Sequence, residues 1–419
     1  MPLRLTGLWR NPDFLKLWAG QTVSAFGTLL GALQLTAILV LDATAFQVSV
    51  LTAAGVAPSL VAGLAVGAWV DRLPRRPVLV AADLGRAAVL ASVPAVYFLG
   101  VLRVEHLWAV AFINGLFTAF VDVAYPAYLP SLVSRNQLIE ANSKLSASTS
   151  VVEAGAFSVG GWIAQLLSAI VAVVIDAASF LLSGLMVLWI RKREPPPSAQ
   201  RRASLLRDVV EGLRFVWRQR LLRALASYTA AWGLAQGMIG ATITLYGIRV
   251  LGIQPGVLGT IYAIGGVSSL LGAMAAVRLT RRFGLGPMIV LGGLVYGLSM
   301  LLVPAARGPV LISALFMAAQ QLVGDGAYTV SSINQVSMVQ SVTPGEQLGR
   351  VTGSLRFVER GLALVGALLA GILAETIGLR LTLLAGAGNV LAGGVMLWLS
   401  PVRRLREAPS PPAAPPQAA

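Results

Sequence analysis

The 419-residue chain contains no cysteine and one histidine, His106. Disulfides, thiolate metal sites and Cys–His nucleophile pairs are therefore excluded. Neither H-E-x-x-H nor G-x-x-x-x-G-K-[ST] occurs, and the only lysines are Lys16, Lys144 and Lys192. The phosphate loop of an ATP-driven pump is thus missing, and so are the usual base and metal sets of an enzyme. The expectation is a non-enzyme without catalytic residues, metal or cofactor. Charge is scarce too: 12% of residues are Asp, Glu, Lys or Arg, about half the ~25% of a soluble domain. No cleavable leader is visible, because the first apolar run lacks a small-residue cleavage site and the apolar pattern continues past it.

What is present is hydrocarbon. Hydrophobic residues make up 56% of the chain, and the mean hydropathy is +0.78. The apolar residues come in runs of roughly 20, enough for a helix to cross a ~30 Å hydrocarbon core. Twelve spans are read at 14–41, 47–69, 78–101, 106–126, 141–165, 168–190, 222–247, 255–277, 285–304, 309–331, 351–374 and 379–400. The chain is expected to be an all-α, multi-pass membrane protein with the bilayer as its solvent.

The formal charge of +15 suggests nucleic acid until the charges are placed. With both termini inside, the cytoplasmic segments hold most of the arginines, including Arg72, Arg75, Arg76, Arg278, Arg281, Arg282 and the cluster from Arg191 to Arg223. The six outer loops hold only Arg103, Arg249, Arg307 and Arg380. That asymmetry is the positive-inside bias and sets an orientation in a cell (inner) membrane, both termini cytoplasmic. No nucleic-acid partner is expected.

The chain is also written twice. Gly27 and Gly31 recur 206 residues later as Gly233 and Gly237. Arg72-Leu73-Pro74-Arg75-Arg76 recurs at the same offset as Arg278-Leu279-Thr280-Arg281-Arg282, and Val152-Glu153-Ala154-Gly155 as Val358-Glu359-Arg360-Gly361. Asp122-Val123-Ala124-Tyr125 recurs 203 residues later as Asp325-Gly326-Ala327-Tyr328. In an apolar chain this is the layout of a secondary transporter, with its substrate site at the repeat interface. The expected divisions are a six-helix bundle at 1–190, a linker at 191–220, a second bundle at 221–402 and a disordered tail at 403–419. In the linker, Leu205, Leu206, Val209, Val210, Leu213, Val216 and Trp217 repeat at helical spacing opposite charged residues. This reads as an amphipathic helix on the inner membrane surface, serving as a tether or as a regulated element.

Gly67-Ala68-Trp69-Val70-Asp71-Arg72-Leu73-Pro74-Arg75-Arg76 resembles the G-x-x-x-D-R-x-x-R-R loop of the major facilitator superfamily. Asn11-Pro12-Asp13-Phe14 with Leu15-Lys16-Leu17-Trp18, Leu129-Pro130-Ser131-Leu132-Val133 and Ile175-Asp176-Ala177-Ala178-Ser179-Phe180 are similar to the subgroup of bacterial enterobactin exporters and macrolide-efflux proteins. The resemblance implies twelve helices in two pseudo-symmetric six-helix bundles and export driven by an ion gradient, usually protons. Two departures stand out. Pro74 replaces a frequent glycine, and Ala156-Phe157 stand where the antiporter Gly-Pro-x-x-Gly-Gly signature has Gly-Pro, although Gly160-Gly161 remain.

Candidate residues follow. For gating they are Gly67, Asp71, Arg72, Arg75 and Arg76: the glycine lets a helix approach, and Asp71 can cap the dipole of another helix. By resemblance that helix begins near Arg350; the other reading is that the charges only set topology. For proton coupling they are Glu153, Asp122, Asp325 and Glu359, because an intramembrane acid costs about 2.5–3.5 kcal/mol and rarely persists unused. Glu153 has no basic neighbour within a turn and is the first choice, against a neutral hydrogen-bonded side chain. Glu359 has Arg356 and Arg360 nearby and reads as a structural ion partner. Asp122 and Asp325 each precede a tyrosine by one turn, facing a cavity or loop arginines; Asp176 reads as structural. Substrate contacts are expected from Gln34, Tyr125, Gln236, Gln321 and Tyr328. The expected function is proton-coupled efflux of a small amphipathic compound by a monomer, whose partners are substrate, protons and lipid. A siderophore exporter, an importer of the same fold and a non-transporting membrane sensor stay open.

Overall fold

The computed structural model describes residues 7–61, 73–192, 194 and 205–407. The described residues form α-helices joined by short turns, with no strand among them. The first is α1 (Pro12–Thr28). Asn11 starts it, its side chain accepting from the Asp13 and Phe14 backbone N–H groups at 3.1 Å, with Pro12 in the first turn. Then come α2 (Ala32–Leu39), α3 (Ala45–Val61), α4 (Arg75–Phe98), α5 (Val104–Leu132), α6 (Leu138–Leu166) and α7 (Ala169–Leu188). Helix α8 (Leu205–Arg218) is the linker helix. The second half holds α9 (Arg220–Arg249), α10 (Pro255–Phe283), α11 (Leu285–Met300), α12 (Leu302–Ala305), α13 (Val310–Val342), α14 (Gly345–Thr376) and α15 (Leu379–Leu399).

Among the described residues, nine helical segments are long and apolar enough to cross a membrane. The expected spans at 141–165 and 222–247 fall on α6 and α9, which are not among them; the expected span at 47–69 begins on α3, and its residues 62–69 lie outside the described residues. Helix α6 carries Asn142, Ser146, Thr149, Ser150 and Glu153 on one face and Glu140, Lys144 and Ser148 on another, more polarity than a lipid-facing helix carries and suited to a wet cavity. Elsewhere the usual exposure pattern is inverted. Phe98, Leu311, Leu315 and Ile372 point outward and exposed, while Asp83, Arg86, Gln320 and Asn334 are buried. Outward apolar side chains are what a lipid solvent selects.

The chain divides into two compact units, one of residues 1–202 with Gln254–Ala263, the other of residues 203–253 with 264–419. Unit 1 packs Phe14, Leu17, Leu79, Tyr128 and Ile190 together. Unit 2 packs Leu222, Tyr228, Ile289, Met338 and Leu397.

Three expectations gain detail. Span one stands as one segment, Pro12–Leu39, but its helix breaks between α1 and α2 at Gly31, whose φ of 66° lies in the left-handed region. Gly31 has nothing within 4 Å of a built Cβ, so glycine is needed there for its left-handed backbone and not for a close helix contact. The linker helix does not rest on lipid alone. It packs on α14 and α9 with Val216 buried, while Val210 and Trp217 remain exposed. The segment after 402 does not leave the fold at once: the backbone N–H groups of Leu285 and Gly286 donate to the Arg406 and Leu405 carbonyls (3.1 and 2.8 Å).

Candidate functional site

Each unit carries a pocket. In unit 2 it holds about 320 Å³ and is walled by α9, α13 and α14. Tyr228 and Trp232 of α9 are four residues apart; Tyr328, Ser332 and Gln335 of α13 and Thr352, Arg356 and Glu359 of α14 follow the same three-to-four spacing, so each helix offers one face. Trp232 stacks on Tyr328 with ring centroids 4.1 Å apart and planes at 13°. Tyr296 closes the group, edge-on to Trp232 at 5.0 Å and tilted to Tyr328 at 5.5 Å. The sequence builds this with glycine: a Cβ on Gly233 would lie 2.9 Å from the Glu359 Cα. Only glycine lets α9 approach α14 so closely, and that approach sets Glu359 beside the indole. Glu359 has Arg360, Arg356 and the Trp232 side chain as its electrostatic company. The described ion pairs do not include the expected one between Glu359 and Arg356.

In unit 1 the pocket holds about 480 Å³ and lies among α1, α5 and α6. Gln21, Thr22, Tyr125, Asn142, Ser150 and Glu153 are on its wall. Trp18 ties α1 to α6 by donating its indole N–H to Ser148 (2.7 Å). The Tyr125 hydroxyl is buried there without a partner. The Glu153 side chain is exposed to the pocket, and no hydrogen bond or ion pair among the described residues engages it.

The two linings occupy repeat-equivalent positions. Thr22 and Tyr228, Ser146 and Thr352, Ser150 and Arg356, and Glu153 and Glu359 are all 206 residues apart, and Tyr125 and Tyr328 are 203 apart. The chemistry differs. The first pocket is lined by hydroxyls and amides around one acid; the second is lined by aromatic rings with an acid and an arginine. Stacked rings beside a carboxylate are a surface for an organic cation, and Arg356 and Gln335 add donors for its polar groups.

Of the other sequence candidates, Gln34, Gln236 and Gln321 line neither pocket. Asp325 lies against α10 and within electrostatic reach of Tyr328: a side chain at Gly265 would strike the Asp325 carboxylate and the Gln321 amide. Asp122 is exposed on α5 and interacts electrostatically with Arg86. Gly67, Asp71 and Arg72 lie outside the described residues.

Arg75 and Arg76 are described, and their role involves a residue that sequence reading passed over. Glu194 accepts from the Arg75 and Arg76 backbone N–H groups (2.7 and 3.2 Å) and from the Arg75 guanidinium (3.0 Å). It thereby caps the positive end of α4. Arg76 donates to the Val187 and Leu188 carbonyls at the end of α7. A carboxylate among arginines after span six was the available signal. Sequence reading also missed Asp83 and Arg86, a pair of charges inside span three.

The described residues are helical, with segments long and apolar enough to cross a membrane and a pocket in each unit, an arrangement that suits a secondary transporter. Residues 17–361 match the Major Facilitator Superfamily, and the chain belongs to it. It is 29% identical over 412 residues to the multidrug efflux pump Tap of Mycolicibacterium fortuitum, covering 96% of this chain and 98% of that protein. It is 35% identical over 128 residues to macrolide efflux protein A of Streptococcus pyogenes, 30% of this chain and 31% of that one. A bacterial homologue of the iron transporter ferroportin, solved in an inward-facing state, has the same fold: TM-score 0.76 at 16% identity, covering 94% of this chain and 99% of that one. The chain is a transporter of small molecules and not an enzyme.

Proposed function

We propose that this protein exports a mid-sized amphipathic cation across the cell membrane in exchange for protons, by alternating access, with both termini cytoplasmic. The observation that carries the reading is the unit 2 pocket, where Trp232 stacked on Tyr328 stands beside Glu359. The aromatic faces hold the cation, the carboxylate balances its charge, and Arg356 with Gln335 meets its hydrogen-bond acceptors. Full-length relatives that are multidrug efflux pumps support export over import. Glu153, an acid on the wall of the other pocket, supports an exchangeable proton in unit 1. Arginine-rich connecting segments support the orientation.

The test uses ethidium as the cationic probe. Trp232→Ala is expected to weaken its binding to purified protein by about 0.5–2 kcal/mol, the range of a cation over an indole, or roughly 2- to 30-fold. Proteoliposomes with an imposed pH gradient should expel the dye. Unchanged affinity in both Trp232→Ala and Glu359→Gln would remove the pocket as the substrate site.

A further inference from the structure

Unit 1 holds a charge cluster that neither pocket uses. Asp83 and Arg86 lie one turn apart on α4, their charged ends 3.5 Å apart. Asp83 is fully buried, and Arg86 is 5% exposed. At 1.5 Å per residue they stand about 12 and 17 Å along the helix, in the middle of its 24 residues. Ser183 of α7 donates to the second oxygen of Asp83 (2.7 Å). Arg86 donates to Thr118 of α5 (2.7 Å), and the Phe180 ring of α7 covers its guanidinium at 4.3 Å. Asp176, one turn before Phe180 on α7, interacts electrostatically with Arg86. It is 7% exposed, and its Oδ1 has no hydrogen-bond partner. Gly27 of α1 faces that oxygen: a Cβ there would lie 2.6 Å from it.

The charged surroundings are few. Asp122 reaches Arg86 electrostatically from α5. The described residues of α2 and α3 contain no ionisable side chain. Asp13 and Lys16 pair with each other at the start of α1, Glu140 pairs with Lys144 on α6, and Glu153 faces its pocket. His106 meets Ser92 near the far end of α4 (3.0 Å). Two buried acids therefore share one arginine. With both ionised, the cluster carries a net negative charge away from solvent, which is costly; one added proton makes it neutral. Asp83 already receives a donor on each oxygen, whereas Asp176 has an oxygen with nothing on it. The fold itself does not require these charges. In the second half, α11 has no charged residue and α15 has no acid.

We propose that Asp176 of α7, facing Gly27 of α1 and within electrostatic reach of Arg86 on α4, is a buried proton-binding site of unit 1. Its part in transport rests on the proton-coupled reading above; its occupancy by a proton does not. The test is infrared difference spectroscopy of the purified full chain across a pH titration. Wild type should show the carbonyl stretch of a protonated carboxylic acid, lost as pH rises. Asp176→Asn should lack that band, and Glu153→Gln should keep it. If Asp176→Asn does not fold, Asp176→Glu decides the matter: the band should persist at a shifted frequency, whereas a band from any other acid stays where it was. A band that survives Asp176→Asn, one that Asp176→Glu leaves unmoved, or no band at all overturns the site. Dye efflux by the same preparations separates the two ideas. Wild-type vesicles that export without regard to the pH gradient defeat proton coupling, while the band still decides the site.

Discussion

Within the helices of this protein some glycines are contacts and others are spare, and the difference is measurable. Gly233 meets the Glu359 backbone, whereas Gly361, one turn past the start of the repeated Val358-Glu359 motif, has nothing within 4 Å of a built Cβ. Gly233→Ala should therefore push α9 from α14 and lower stability by about 1–3 kcal/mol, the cost of an overpacked contact. Gly361→Ala should leave thermal unfolding in detergent unchanged or slightly raised. Equal melting of the two variants would show that Gly233 does not set the pocket wall. The repeated glycines were visible in sequence, but their unequal fates were not. Gly27 faces Asp176 while Gly31 breaks the helix, and that depends on what lies opposite each. Asp83 and Arg86 are a similar case. Their spacing was legible, but their meaning comes from Ser183 and Asp176, on a helix about a hundred residues away.

At the scale of elements, the linker helix was legible as amphipathic because its apolar positions repeat at helical spacing. What its apolar face covers was not, since periodicity gives a face without a partner. Ser354 of α14 donates to the Val209 carbonyl (3.0 Å), and Arg350 pairs with Glu211 at 3.2 Å. That half-exposed pair contributes little, about 0.2–1 kcal/mol. The close packing at Gly212 matters more: a Cβ there would lie 2.5 Å from the Arg350 carbonyl oxygen. Gly212→Val should lift α8 from α14 and speed amide hydrogen exchange across 205–218, leaving α9 as protected as before. Glu211→Ala should change exchange only slightly. Rapid exchange in Glu211→Ala with normal protection in Gly212→Val would reverse the assignment.

For the whole molecule, the two-fold repeat was the strongest signal in the sequence, and it marks the walls of both pockets: Glu153 with Glu359, Tyr125 with Tyr328. The asymmetry between the units is a matter of side chains that the offset cannot rank. Unit 1 holds the buried charges of α4 and α7 and a hydroxyl-lined pocket; unit 2 holds the aromatic wall. On the proposed mechanism, protons and substrate thus load on different halves, and the equivalent acids should fail differently. Glu153→Gln keeps the size and hydrogen bonding of a protonated glutamate but can no longer release its proton. Ethidium binding should persist in that variant, and efflux driven by a pH gradient should stop. Glu359→Gln removes the charge beside the Trp232 ring, so binding should weaken first, with efflux falling because the site is empty. Ethidium affinity and gradient-driven efflux measured on both variants in one vesicle preparation separate these outcomes. If Glu153→Gln exports normally, that acid is not the carrier; if it loses binding as Glu359→Gln does, the halves share one task, and the division of labour between them is wrong.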